Sequence, residues 1–196
     1  MHARTSFRPM VLLLLSSVLA SCGPTAPTPP REEPALDSQE APLLGTVVCP
    51  LGTTTISFDP PLRNEPQDVV VSGSGSITNC TALLTAPVTS GTTGFPPALR
   101  QDFSCGSLVG ISGGSVTVTW NTGETSQLSL TQVVVQGGTT ARTTLQIGTV
   151  VSGKYAGYGA VRTLVFVDAD LENACASEEG LAQYTTTQTL VLNEVL

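Results

Sequence analysis

The chain has 196 residues, eight basic against fifteen acidic side chains for a formal net charge of −7, 40% apolar residues and only 12% charged ones. That is length for one domain with a tail, and enough to bury a core. The acidic balance speaks against nucleic acid as a partner, because binding it rests on Lys and Arg neutralising phosphates.

Residues 1–21 stand apart. "MHARTSFRP" carries Arg4 and Arg8, and Val11–Ala20 is an apolar stretch followed by small residues, the basic, apolar, small order of a secretory signal. A membrane-crossing helix needs about 20 apolar residues, so a stretch this short is expected to be cut off rather than kept as a span. Cleavage takes away Arg4 and Arg8 and leaves all fifteen acidic residues. It also takes away His2, the only histidine, and with it any Ser-His or Cys-His pair and any histidine-ligated metal in the mature chain.

Leu19, Ala20, Ser21 and Cys22 follow the apolar run directly, and L-A-S-C resembles the lipobox of bacterial lipoproteins. The resemblance covers the export signal only. It implies lipidation of Cys22: the thiol is joined to a diacylglycerol, the peptide before it is removed, and the cysteine becomes an acylated, palmitate-type N-terminus. Several acyl chains at about 0.8 kcal/mol per buried methylene make such an anchor permanent. The other reading is ordinary cleavage after Ala20, which leaves Cys22 as a thiol. Gly23, where an Asp would hold a lipoprotein at the inner membrane, points to the outer membrane if the organism has two. The expected place is the cell envelope, with the membrane as partner through the lipid.

Residues 22–44 form a lipidated linker with proline at positions 24, 27, 29, 30, 34 and 42 and almost nothing to bury. Such a composition reads as a partly polyproline-type stalk, which at about 3.1 Å per residue reaches up to about 60 Å from the bilayer.

The domain is expected over residues 45–196. Segments at 53–58, 68–78, 82–88, 98–105, 115–120, 125–135, 142–152, 160–168 and 184–194 are rich in Val and Thr, alternate with period two and are separated by Gly, Pro or Asn. They predict an all-β domain: an antiparallel, immunoglobulin-like β-sandwich or a partly closed barrel of about nine strands. Val116, Val118 and Trp120 share one face, and Asn121 to Gly123 supplies a hairpin turn into the next segment. Leu128 and Leu130 share a parity that Val133 and Val135 do not, so a bulge is expected near Thr131. "TVTWNTGETS" and "GTVVSGKYAG" resemble a loose class of small exported β-rich proteins of high-GC bacteria. That resemblance implies a fold type and no activity.

With Cys22 set aside, Cys49, Cys80, Cys105 and Cys175 remain, an even number for an exported domain and hence two disulfides. Up-and-down alternation of the segments puts all four at one end of the domain. The favoured pairing is Cys80 with Cys105 and Cys49 with Cys175, with Cys49–Cys80 and Cys105–Cys175 the close alternative. No C-x-x-C spacing supports a thiolate metal site.

"VFVDADLEN" holds the densest acidic cluster. Asp168, Asp170 and Glu172 are a candidate calcium set, because carboxylates at alternate positions of a turn can converge, although Asn173 stands where an EF-hand loop has glycine. The same carboxylates could serve a hydrolase of the glycosidase kind. The plain alternative is a solvated acidic turn. Tyr155 and Tyr158, among glycines beside Lys154, are candidate binding residues or covers for a sheet end. Ser152 and Lys154 lack the S-x-x-K spacing, Trp120 reads as core, and no motif calls for a cofactor. The expected function is therefore a lipid-anchored, non-catalytic binding or structural module, its protein or glycan partner unspecified. The rivals are a carboxylate-dependent hydrolase at the envelope and a calcium-stabilised, adhesin-like module.

Overall fold

The computed structural model describes residues 45–110, 114–137 and 140–195. The signal segment, Cys22 and the stalk of residues 22–44 lie outside the described residues. The described strands are β1 (Thr46–Cys49), β2 (Leu51–Leu62), β3 (Gln67–Thr78), β4 (Thr81–Leu83), β5 (Gly91–Phe103), β6 (Ser115–Trp120), β7 (Thr125–Gly137), β8 (Ala141–Gly153), β9 (Gly159–Val167) and β10 (Leu181–Asn193). A 3-10 helix, Cys105–Gly110, follows β5, and α1 (Asp168–Cys175) follows β9.

Pairing runs β2-β3-β5-β6-β7-β8-β9-β10, all antiparallel, and β10 then pairs with β2. The sheet therefore closes on itself as an eight-stranded barrel. Of the two architectures expected from the sequence, the barrel is the one formed, and closure removes the open edges a sandwich would carry. β10 is shared lengthwise: Leu181–Thr187 pairs with β2, and Leu190–Asn193 pairs with β1 beyond Pro50. The β2–β3 register, with Leu51 opposite Thr78, continues past the break as Val48 opposite Thr81 in β1–β4.

The hairpin after Trp120 is as read: Trp120 N–H donates to Glu124 O, Gly123 N–H donates to Trp120 O, and Gly123 has φ +84°. A three-residue loop ending in a left-handed glycine is the type I turn with a bulge that antiparallel strands accept. The β7–β8 register shifts between Leu130 and Gln132, which leaves Thr131 as the extra residue. Beyond it Val135 is 46% exposed, so the bulge bends the wall without returning these valines to the core.

Two segments differ from expectation. Of the stretch 82–88 only Ala82 and Leu83, the end of β4, are strand; the rest folds over one barrel end, where Val88 is buried, the Tyr155 hydroxyl donates to Ala86 O, and the Asn121 side chain accepts from Thr89 and Ser90 N–H. β5 begins at Gly91 rather than near Ala98 and runs through Pro96 and Pro97.

The first difference corrects the disulfides. The bonds are Cys49–Cys80 and Cys105–Cys175, not the favoured Cys80–Cys105 and Cys49–Cys175. Taking 82–88 as a full crossing of the barrel reversed the parity of everything after it. Without that crossing, Cys105 and Cys175 fall at the opposite end from Cys49 and Cys80. Cys49 and Cys80 face each other across the continued register, and Cys105–Cys175 ties the 3-10 helix to the end of α1.

The interior is two apolar clusters. One holds Ile77, Val118, Trp120, Leu128, Leu130, Leu190 and Leu192 with the Cys49–Cys80 bond. The other holds Ile56, Phe58, Leu62, Val69, Leu164 and Phe166, and is plugged from below by Leu108 and Leu171.

Candidate functional site

Between the two clusters the inward positions turn polar. Along β9 the buried residues read Ala160, Arg162, Leu164, Phe166, and along β10 Leu181, Tyr184, Thr186, Gln188, Leu190, Leu192. Period-two alternation puts Arg162 and Gln188 in the same inward rows as the leucines. Gln146 on β8 stands directly opposite Arg162. Thr54 on β2 and Thr93 on β5 complete a buried polar layer, with Thr54 and Thr93 each opposite Gly75 of β3.

Arg162 is the centre of that layer. Its Nε donates to Gln188 Oε1 at 2.9 Å, Nη1 to Gln146 Oε1 at 3.2 Å and Nη2 to Thr54 Oγ1 at 2.8 Å. All three acceptors are neutral. Among the described residues the salt bridges are Arg142–Asp168 and Lys154–Glu124, so no carboxylate lies in ion-pair range of Arg162. Burial lowers its pKa to about 10, which leaves it charged at neutral pH. A buried, charged guanidinium is costly unless well paired, by several kcal/mol even after relaxation.

Gln188 holds the layer to the wall. Its Nε2 donates to Thr53 O, Ser76 O and Thr93 Oγ1 at 2.9, 3.1 and 3.0 Å. Gly75 makes room for it: a Cβ there would sit 2.2 Å from Thr53 O and 2.9 Å from Gln188 Nε2. Close approach of backbone to side chain is the reason for glycine inside this strand.

The barrel wall is open at the level of the layer. β5 pairs with β6 only from Gly91–Trp120 to Gly94–Thr117. Beyond that come Pro96 and Pro97, which have no N–H to give a neighbour, and among the described residues β5 continues paired with β3 alone across a register shift at Val71/Gly73. The result is a cavity of about 260 Å³, open on one side, between β5 and the start of β6. Its walls are mainly apolar, from Val71, Phe95, Pro96, Ala98 and Val116. Arg162 and Gln146 line it from the polar layer, Arg100 also lines it, and no acidic side chain is among its described lining residues.

The residues singled out from sequence are elsewhere. Asp168, Asp170 and Glu172 do not sit in a turn that gathers them: they are wound into α1, whose 3.6-residue period turns Asp170 away from the other two. Asp168 and Asp170 occupy its first turn, where negative charge suits the helix dipole. Asp168 lies 2.8 Å from Arg142 Nε, an ionic approach rather than an aligned hydrogen bond, since its Oδ1 accepts none. Among the described residues no three His, Cys, Asp or Glu groups gather as metal ligands.

Tyr155 and Tyr158 pack against each other and, through Tyr155, against Trp120. Tyr155 is 8% exposed, meets Trp120 edge-on at 5.5 Å and Tyr158 at 5.5 Å, and its pKa is raised by burial first, then by Glu124 and Tyr158. Trp120 is core, its Nε1 donating to Ser126 Oγ at 2.8 Å.

Sequence reading passed over Arg162, Gln146 and Gln188, although "AVRTLVFVD" carried the signal: an arginine at the inward parity of an otherwise apolar strand. No protein-family model, curated protein or solved structure matches the chain.

Proposed function

We propose that this chain is an exported, lipid-anchored barrel that binds a small ligand rather than transforming one. The observation that carries the binding reading is the cavity through the proline-interrupted wall, which brings solvent-side space onto the buried guanidinium of Arg162. Eight-stranded barrels have interiors just wide enough for side chains or one small ligand. Mostly apolar pockets with a few convergent polar groups are the usual form of small-molecule sites. Among the described residues the cavity opens through the wall beside β5. The anchor reading is supported by the L-A-S-C motif at residues 19–22 and agrees with two disulfides in the body.

Two measurements test the two halves. Cys22→Ser should move the protein from the membrane fraction to the soluble one, and a variant still held in the membrane refutes the lipid anchor. Native mass spectrometry of the protein taken from its own envelope fraction should show a small molecule that denaturation releases, and Ala98→Trp, which fills the cavity wall, should come without it. The binding half fails if the parent carries no such molecule and no member of a fragment library raises its melting temperature.

A further inference from the structure

We infer that the ligand of this cavity is a small carboxylate with an apolar body, its carboxylate seated on Arg162. The inference rests on the binding reading above and adds the chemical class. Charge comes first. Arg162 lines the cavity, the described lining contains no Asp or Glu, and among the described residues Arg162 has only neutral acceptors around it. A buried cation without a counter-charge attracts an anion and rejects a cation.

The donor count comes second. A guanidinium has five N–H groups, and three are taken by Gln188, Gln146 and Thr54. One N–H on each Nη is left beyond these bonds among the described residues. Two nitrogens of one guanidinium are what a carboxylate grips in a bidentate pair. The three neutral acceptors fix the guanidinium in place, so little side-chain freedom is lost when the anion arrives.

Size and polarity come third. An engineered cavity of about 150 Å³ holds benzene, so about 260 Å³ admits an aromatic or branched acid of modest size and excludes long acyl chains. The walls from Val71, Phe95, Pro96, Ala98 and Val116 suit a hydrocarbon body.

The test uses benzoate, benzamide, benzyl alcohol and benzylamine against the purified, oxidised full chain, with affinities from calorimetry. Benzoate should bind at least about tenfold tighter than benzamide or benzyl alcohol, benzylamine should not bind, and benzoate affinity should fall as pH drops through the acid's own pKa. Arg162→Gln should erase the preference for benzoate while benzamide still binds. Should that variant not fold, Ala98→Trp leaves the Arg162 bonds untouched and should abolish binding of every probe. Equal binding of benzoate and its neutral analogues, with Ala98→Trp blocking all of them, overturns the carboxylate inference and leaves the binding reading standing. Failure of every probe to bind the parent overturns the carboxylate inference at this cavity. The binding reading is then decided separately, by the native mass spectrum and the fragment library.

Discussion

Replacing Gln188 by leucine keeps roughly the volume at the middle of the barrel and strips the polar layer of its connector. Gln188 accepts from Arg162 Nε at 2.9 Å and donates to two main-chain oxygens and one hydroxyl. Loss of the acceptor leaves a charged N–H buried without a partner, a cost of about 2 to 3 kcal/mol. Loss of the donors to Thr53 O and Ser76 O adds about 1 kcal/mol for each carbonyl not otherwise satisfied. The expected destabilisation is about 3 to 5 kcal/mol, a large part of a domain's usual margin of about 5 to 15 kcal/mol. Urea unfolding of the oxidised protein measures it: with a slope of about 2 kcal/mol per molar, the midpoint should fall by about 2 M. The decisive comparison is the cycle with Arg162→Met. Removing both members of the charged bond leaves no orphaned charge, so the double variant should be more stable than the sum of the singles predicts by at least about 1.5 kcal/mol. Additivity within about 0.5 kcal/mol would refute the claim that Gln188 acts chiefly by satisfying Arg162.

Three further outcomes follow from the same structure. Cys105→Ala with Cys175→Ala opens a loop closed over 70 residues and should cost about 4 kcal/mol by loop entropy, whereas Cys49→Ala with Cys80→Ala, over 31 residues, should cost less because the loop it closes in the unfolded chain is shorter; a larger cost for the second pair in thermal unfolding would contradict this. Gly75→Ala puts a methyl group 2.2 Å from Thr53 O and should destabilise by about 2 to 3 kcal/mol or more, so an unchanged urea midpoint would place Gly75 wrongly. Burial raises the phenol pKa of Tyr155 and, more strongly than Val167's hydrogen bond lowers it, that of Tyr184 above the ordinary 10.0. A raised folded pKa means this contribution is whole below pH about 10 and is lost as pH climbs through the folded value. Arg162, lowered to about 10, acts the other way in that window, since there the unfolded chain binds the extra proton and the fold gains with rising pH. Tyr155→Phe should therefore flatten the alkaline loss of stability and Arg162→Met should steepen it; urea midpoints from about pH 9 to 11 that show neither change would refute the assignment.

Local features were legible from sequence because local chemistry sets them. The β6–β7 hairpin follows from Asn121–Gly123, the bulge at Thr131 from a change of apolar parity, and the all-β class from short alternating segments rich in Val and Thr. Features that depend on distant partners were not. Closure is decided by β10 meeting β2, two strands more than a hundred residues apart in the chain, and neither carries a mark of its partner. The stretch 82–88 is apolar enough to read as strand, yet it folds over the barrel end, and that single miscount moved Cys105 to the wrong end. "VFVDADLEN" reads as a turn in which alternate carboxylates could converge, but carboxylates in a first helical turn with Leu171 and Cys175 facing inward stabilise a short helix instead.

The placement of the candidate site joins two irregularities that have separate origins. The β5–β6 ladder ends where β5 reaches Pro96 and Pro97 and β6 begins at Ser115, a matter of backbone chemistry and strand length. Arg162 divides the interior for reasons of side-chain chemistry alone, because it places a charge between two apolar clusters. Nothing in the folding of an eight-stranded barrel requires these to coincide. They do coincide: the wall opens beside the level of Arg162 and Gln146, and the cavity lies between Phe95 and Arg162. A gap opening onto either leucine-rich cluster would expose apolar core to water, and a charge behind an unbroken wall would stay sealed. Only the combination makes a pocket that an anion from solvent can reach.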